Sequence, residues 1–207
     1  MSSEVEALRN HVDRLQVALA DVDGRLSTIA GWGRHLAERL SAGGRLLVAG
    51  NGGSAAHAQH LTSEIVGRFA ADRPPFSAIA LHADSSATTA IVNDYGAGAL
   101  FARQVRAHGR EGDVLLLIST SGRSSNVIDA ADVGSTMGLR TWALTGPPPT
   151  PLAVRVDDVV SCSGATTATV QEVHQLMVHL LCVAFEAALE RQPHRVDGRR
   201  TVRASRR

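Results

Sequence analysis

Apolar residues near the N-terminus recur at alternating spacings of three and four, which is typical of a helix that packs on a partner. This first stripe consists of Val5, Leu8, Val12, Leu15, Leu19 and Val22. Gly24 is expected to break the helix, and a second helix ending near residues 43–44 is predicted from Leu26, Ile29, Leu36 and Leu40. Both stripes could pack on their own domain. The regular spacing and the polar opposite face favour an oligomer interface for at least one of them.

Beyond residue 44 the pattern changes to short apolar runs that alternate with helix-compatible segments. The runs predict five strands, at residues 46–49, 76–81, 113–118, 140–145 and 157–161. Helices are predicted from residue 55 and over residues 85–92, 100–105, 126–137 and 167–190. This alternation predicts an α/β fold, a doubly wound five-stranded parallel sheet flanked by helices, with ligands beyond the carboxyl ends of the strands.

The same patterns divide the chain into three parts. Residues 1–43 form an N-terminal helical segment, and residues 44–190 are long enough for one α/β domain with a substantial core. Residues 191–207 form a basic tail, in which seven arginines accompany one aspartate. We expect this tail to be solvated and disordered, with weak nucleic-acid contact as the alternative.

Composition and charge exclude several function classes. The chain has no lysine, which excludes Schiff-base catalysis, and its net charge of +1 with 3% aromatic residues argues against a nucleic-acid partner. Cys162 and Cys182 are too few for a disulfide framework or a zinc-thiolate site, so both are expected in the core. The N-terminus has acidic residues and no apolar signal region, and we expect no membrane-spanning segment. A cytoplasmic protein is therefore predicted.

A glycine-rich loop at residues 50–54 follows the first strand and opens a helix. Gly52 and Gly53 have no side chains, so a ligand can approach the backbone and the first amides of the helix. The loop lacks the third glycine of a dinucleotide fingerprint and the lysine of a P-loop. His60 and Glu64 follow at i and i+4 and therefore share one helix face. A ligand held by the loop could then meet a base.

A second polar loop, residues 119–125, follows the third predicted strand. It contains five hydroxyl side chains, a glycine and the start of a helix. Hydroxyls and helix amides can bind a phosphate ester without lysine. The alternative is a helix cap with local Ser/Thr turns and no ligand. Five hydroxyls exceed what one cap needs, which favours phosphate.

The last predicted helix, residues 167–190, is apolar on most faces, which again suggests a partner subunit. Its polar exceptions are Gln171, His174 and His179. Taken singly, each would more commonly be a hydrogen-bonded core or interface residue. Gln171 and His179 are separated by about 12 Å along an ideal helix axis. One metal ion could bind both only from between them; otherwise different subunits must supply them.

Five separated motifs resemble the SIS (sugar isomerase) fold and, more narrowly, the phosphoheptose isomerase family, also called sedoheptulose 7-phosphate isomerases. The similarity runs from about residue 40 to residue 189 and keeps the family's motif order. The motifs are NGGSAAHAQH at 51–60, SEIVGRF at 63–69, NDYG at 93–96, GDVLLLISTSGRSSNVI at 112–128, and QEVH at 171–174 with His179.

The resemblance implies a cytoplasmic homotetramer that interconverts sedoheptulose 7-phosphate and D-glycero-D-manno-heptose 7-phosphate, the first step of nucleotide-heptose biosynthesis for surface polysaccharide or natural products. It implies Glu64 as the catalytic base and His179 as the acid. It also implies one zinc ion per subunit, held by His60, Glu64, Gln171 and His179. The substrate-binding positions that match the family are Asn51, Gly52, Gly53, Ser54, Glu64, Asn93, Asp94, Ser119, Thr120, Ser121, Ser124 and Gln171.

Two positions depart from the family pattern. Ala168 stands where the family often has an acidic residue, and the segment at residues 146–149 is shorter and stiffer than the usual glycine-rich loop. The alternative function is a non-catalytic tetrameric SIS protein that binds a sugar phosphate, as a sensor would, or a replication-initiator partner. Relatives that engage the initiator lack the paired acid and base. Because this chain keeps Glu64 and His179, proton transfer through an enediol is the favoured hypothesis.

Overall fold

A computed structural model describes residues 2–192 of the chain. The helices in this range are α1 Ser3–Leu19, α2 Leu26–Ser41, α3 Gly53–Val66, α4 Ser85–Tyr95, α5 Leu100–His108, α6 Ser125–Thr136 and α7 Thr167–Arg191. The strands are β1 Leu46–Gly50, β2 Ala78–Ala80, β3 Val114–Ser119, β4 Arg140–Thr145 and β5 Asp158–Ser161. Short 3₁₀ turns occur at Asp23–Arg25 and Ala97–Ala99. Residues 193–207, which hold most of the predicted basic tail, lie outside the described residues.

The five strands form one parallel sheet in the order β2-β1-β3-β4-β5, which confirms the predicted fold class. Every residue of β1 and β3 is buried, as expected for central strands covered on both faces. One core cluster joins the sheet to α2, α3 and α7, and a second joins its other face to α5 and α6. The strand order reverses at the neighbours β1 and β3, and ligands of doubly wound folds bind beyond the carboxyl ends of such strands.

The two N-terminal helices differ in what they pack against. The apolar face of α2 is buried on α7, and Gly33 allows this close crossing, since a Cβ there would lie 2.5 Å from the Ala184 Cβ. The α1 stripe is largely exposed, with Leu8 at 68% and Val12 at 51%. The α2 stripe therefore packs within its own domain, whereas α1 presents apolar side chains that the rest of residues 2–192 leaves exposed.

Several element boundaries differ from the sequence-based expectation. Helix α4 was predicted to end at residue 92, which is wrong, because it continues through Tyr95 and includes Asn93 and Asp94. Nothing before Gly96 breaks the helix, and Gly96 ends it with φ 81°. Strand β2 covers only Ala78–Ala80 of the predicted residues 76–81, because this edge strand pairs with β1 alone.

Helix α7 corrects one expectation from composition. It is long and apolar enough to cross a membrane, whereas no such segment was expected. The helix packs on α2 and α3. Of its most apolar 18-residue stretch, 44% is buried inside the fold, which explains the apolar composition. The core helix of a soluble protein meets the same test.

Candidate active site

The two polar loops meet at the carboxyl edge of the sheet. The Asn51 side chain donates from Nδ2 to Asn126 Oδ1 at 2.9 Å, and Asn126 Nδ2 returns a hydrogen bond to Asn51 Oδ1 at 3.0 Å. Asn51 follows β1, and Asn126 lies in the first turn of α6 after β3. This reciprocal amide pair fixes the loops beside each other. A ligand at the strand-order reversal would therefore contact both.

The glycine loop depends on two backbone positions. Gly52 has φ 54° and ψ −123°, a conformation that a side chain would strain. A Cβ on Gly53 would lie 2.4 Å from Gln171 Nε2, so only glycine lets the Gln171 amide lie against the start of α3. Ser54, in the first turn, is 4% exposed. Gln171 of α7 is thus placed at this loop.

The hydroxyl loop serves local structure with some of its side chains and leaves others open. Ser119 Oγ accepts from the Gly122 amide at 3.1 Å, and Ser121 Oγ accepts from the Arg123 amide at 3.2 Å. These two hydrogen bonds form the local Ser/Thr turns that are expected if the loop binds no ligand. Ser124 occupies the N-cap of α6, yet its side chain makes no capping hydrogen bond. Its hydroxyl is therefore available to a ligand.

Two open helix N-termini point to this region. Helices α4 and α7 are capped by the side chains of Asp84 and Thr166, whereas α3 and α6 have no side-chain cap. An open end is not by itself a ligand site, because α1, α2 and α5 also lack side-chain caps. The distinguishing feature is that the ends of α3 and α6 lie side by side after β1 and β3. Together they provide amide donors and dipole charge suited to an anion.

A second cluster lies farther along α3, where it packs on α7. His60 Nε2 is 2.9 Å from His179 Nε2 and 3.3 Å from Glu64 Oε1. The side chains of His60 and Glu64 are 39% and 19% exposed, so the cluster is accessible. The predicted base and acid therefore contact the same imidazole.

Two contacts of His179 were absent from the sequence interpretation. Gln175 Nε2 lies 3.1 Å from His179 Nε2, and the Phe69 ring packs on the His179 ring with centroids 5.7 Å apart. Gln175 precedes His179 by four residues, so helical spacing could have indicated this contact. Phe69 follows the end of α3, and its approach depends on the tertiary fold.

The other predicted site residues do not all join one cluster. Gln171 lies at the glycine loop, two turns from His179 on the same helix. Asn93 and Asp94 are exposed near the end of α4, where the Asn93 amide donates to the Asp94 carboxylate at 2.8 Å. The described residues show no hydrogen bond from either side chain to the two loops. A single chain thus presents three separate groups of predicted site residues.

The chemistry of the His60 cluster fits a zinc ion. Imidazole nitrogens and carboxylate oxygens are common zinc ligands, and ligand atoms of a tetrahedral ion lie about 3.3 Å apart. The two His60 contacts, 2.9 and 3.3 Å, are close to this separation. Over residues 2–192, however, no three His, Cys, Asp or Glu side chains form a preassembled metal group. The three residues would need small rotations to surround an ion.

Two further histidines lie beneath the site, His174 buried and His57 half-buried. The His174 ring is fully buried, and neither ring nitrogen finds a hydrogen-bond partner within the described range. Burial lowers the pKa of His174 to about 4, and the nearby His57 adds to the shift. Burial, and then His60, also lower the pKa of His57. His174 is therefore neutral at pH 7.

Comparisons with known proteins place this geometry in context. The SIS domain family matches residues 11–146, which include α3 and both polar loops. The phosphoheptose isomerase of Streptomyces coelicolor is 59% identical over 184 residues, covering 89% of this chain and 80% of that protein. The phosphoheptose isomerase of Bradyrhizobium sp. BTAi1 is 42% identical over 187 residues, covering 89% and 94%.

Solved structures agree with the sequence comparisons. A phosphoheptose isomerase from Francisella tularensis superimposes with a TM-score of 0.84 at 33% identity, covering 90% of this chain and 100% of that one. The motif resemblance, the parallel sheet and these relatives lead to one assignment. The chain belongs to the phosphoheptose isomerase family of SIS-domain proteins.

Proposed function

We propose that this chain is an aldose–ketose isomerase that interconverts sedoheptulose 7-phosphate and D-glycero-D-manno-heptose 7-phosphate. The single observation that carries the chemistry is the contact of Glu64 and His179 with the same nitrogen of His60, at 3.3 and 2.9 Å. A carboxylate and an imidazole on separate helices can then act on one substrate, the carboxylate at a carbon and the imidazole at the neighbouring oxygen. The relatives at 59% and 42% identity carry the name of this isomerase.

The reaction moves one proton between carbons and one between oxygens. Glu64 removes a proton from C1 of the ketose, while His179 donates a proton to O2, giving an enediol. Return of a proton to C2, with loss of the proton on O1, completes the aldose. No atom is gained or lost. His60 contacts both groups and would keep them oriented toward the same pair of carbons.

The hydroxyl loop and the two open helix ends are proposed to bind the 7-phosphate. Ser124 and the amides at the starts of α3 and α6 supply neutral donors, and the helix dipoles favour the negative charge. Gln171 lies against Gly53 in the same region, where its amide can contact sugar hydroxyls. Binding the distal phosphate places C1 and C2 at a fixed distance from the loop.

We infer that the complete site is shared between subunits of a homotetramer. Glu64 lies three turns beyond Gly53 on α3, or about 16 Å along the axis of an ideal helix. An open-chain heptose phosphate bound at the loop would not reach that far along its own helix. The exposed stripe of α1, with Leu8 and Val12, is the surface proposed to bring a second copy close. Asn93 and Asp94, also exposed, would then contribute to the site of a neighbouring subunit.

A zinc ion is proposed at the cluster of His60, Glu64 and His179, with Gln171 supplied by a neighbouring chain. When bound, the ion would supply Lewis-acid polarisation of a substrate oxygen. The protein residues keep their own tasks, since Glu64 still moves the proton on carbon and His179 the proton on oxygen. Glutamine is an uncommon zinc ligand, so we expect weaker binding than at a closed cysteine site.

The proposed setting is the cytoplasm, at the first step of nucleotide-heptose biosynthesis, with neither a nucleic acid nor a membrane as partner. The substrate would be a phosphorylated seven-carbon sugar. The non-catalytic alternative, a sugar-phosphate or replication-initiator binder, is not favoured, because the relatives above 40% identity carry an enzyme name.

The direct test is turnover by the purified full chain with added zinc. Sedoheptulose 7-phosphate should be converted to the aldose 7-phosphate, and unphosphorylated sedoheptulose should react far more slowly. Binding of the phosphate without turnover would support the non-catalytic alternative. Ser124→Ala should raise KM for the phosphorylated sugar more than it lowers kcat, because it removes a ground-state contact.

A further inference from the structure

We propose that Arg73 and Glu186 are positioning residues that fix Glu64 on α3 relative to His179 on α7. This inference rests on the proposed function, because it assigns the pair a role in the geometry of the base and the acid. Neither residue is placed in contact with substrate. They influence the base and the acid indirectly, through contacts with the backbone at the end of α3 and in the segment that follows it.

Arg73 closes the C-terminal end of the helix that carries the base. Its Nη2 donates to the Glu64 carbonyl at 2.6 Å, and its Nη1 donates to the Ile65 carbonyl at 3.0 Å. The last carbonyls of a helix lack partners within the helix, and arginine side chains can satisfy them. The Arg73 guanidinium also lies over the Phe185 ring of α7, 5.3 Å from its centroid. One side chain therefore contacts the backbone of Glu64 and the helix of His179.

Glu186 of α7 binds the backbone of the segment that follows α3. It pairs with Arg73 Nε at 3.4 Å, and it accepts from the amides of Phe69 and Ala70 at 3.3 Å and of Ala71 at 3.4 Å. The side chains of Arg73 and Glu186 are only 8% and 12% exposed. Loss of one member would leave the other charge buried without its partner, which forces the segment to rearrange.

Phe69, in the segment after α3, contacts the proposed acid His179 directly. The Phe69 amide donates to Glu186, and the Phe69 ring packs on the His179 ring with centroids 5.7 Å apart. Glu186 itself lies two turns after His179 on α7. Breaking the Arg73–Glu186 ion pair would therefore disturb both the backbone at Glu64 and the packing of Phe69 on His179. The loops proposed to bind phosphate lie at the opposite end of α3, so substrate binding should change little.

The experiment measures kcat and KM for Glu186→Gln and Arg73→Lys at a temperature where circular dichroism shows each variant folded. Glutamine keeps the shape but removes the charge, and lysine keeps the charge but cannot reach both carbonyls. We expect kcat to fall about tenfold or more, since small misplacements of catalytic groups are costly, while KM stays within about twofold. Asp132→Asn is the matched control, because it breaks an exposed ion pair with Arg155 at 2.8 Å, far from α3 and α7.

The outcomes separate this proposal from the proposed function. Absence of isomerase activity in the wild-type chain would contradict the proposed function. An active wild type with variants that melt earlier yet keep kcat within about twofold of the control would overturn the positioning role. Hydrogen exchange on the wild-type chain needs no variant and no activity. The amides of Phe69 and Ala70 should exchange more slowly than that of Asp72, and equal rates would contradict the contacts with Glu186.

Discussion

His174 makes the stability of the fold depend on pH. The ring is fully buried and its pKa is lowered to about 4, against an ordinary value of 6.5. On acidification, His174 of the unfolded chain therefore binds a proton at a higher pH than His174 of the folded chain does. Stability from the neutral ring is complete above pH 6.5 and is lost as the pH falls toward 4. The perturbation that tests this is His174→Leu, which has a similar size and cannot titrate.

The magnitude follows from the two pKa values. Between pH 7.5 and pH 5.0 the linkage relation gives a loss of about 2 kcal/mol from His174 alone. Below pH 4 the loss would level off at about 3 kcal/mol. At neutral pH the variant should not be much less stable, because leucine removes two buried nitrogens that lack hydrogen-bond partners in the described part of the chain.

Urea unfolding at pH 7.5 and pH 5.0, at one fixed protein concentration, measures the effect as a shift in free energy. The wild type should lose about 2 kcal/mol more than His174→Leu between the two pH values. His82→Leu is the control, because the pKa of His82 is also lowered by burial but its ring is less enclosed. Equal losses for wild type and His174→Leu would refute the account of the buried ring.

Three further predictions concern packing, thiols and assembly. Gly33→Ala should destabilise the fold by about 1–3 kcal/mol in urea unfolding, since its Cβ would meet the α7 backbone, whereas Gly24→Ala has no atom within 4 Å to meet and should be neutral. Burial raises the pKa of Cys162 to about 11 and of Cys182 to about 12, so a thiol reagent at pH 8 should react with them only after unfolding. Leu8→Arg should lower the assembly mass measured by light scattering without loss of helix, and an unchanged mass would exclude the α1 stripe as an interface.

The sequence predicted the sheet well because its central strands β1 and β3 are buried on both faces. Continuous apolar runs such as residues 113–118, bounded by turn residues, are distinctive, and all five predicted strands are present. The edge strand β2 was predicted too long, since an apolar run near Phe76 can pack on a core without pairing. Helix α4 was predicted too short, because Asn and Asp are common in turns but do not require one.

The site was predictable in its parts but not in their arrangement. The spacing of His60 and Glu64 indicated a shared helix face, and the structure adds that His179 meets them there. No local pattern could place Gln171 at Gly53, two turns from that cluster, because the packing of α7 on α3 decides it. The roles of Arg73 and Glu186 likewise arise from contacts between distant parts of the chain.

The central claim is that Glu64 moves the proton on carbon and His179 the proton on oxygen of one bound sugar phosphate. Its most direct test is solvent deuterium exchange into sedoheptulose 7-phosphate, followed by NMR, with the wild type, Glu64→Gln and the control Glu172→Gln on the exposed face of α7. The account predicts exchange at C1 with the wild type and the control, and none with Glu64→Gln, although this variant still binds the sugar phosphate. Exchange at the wild-type rate in Glu64→Gln would contradict it.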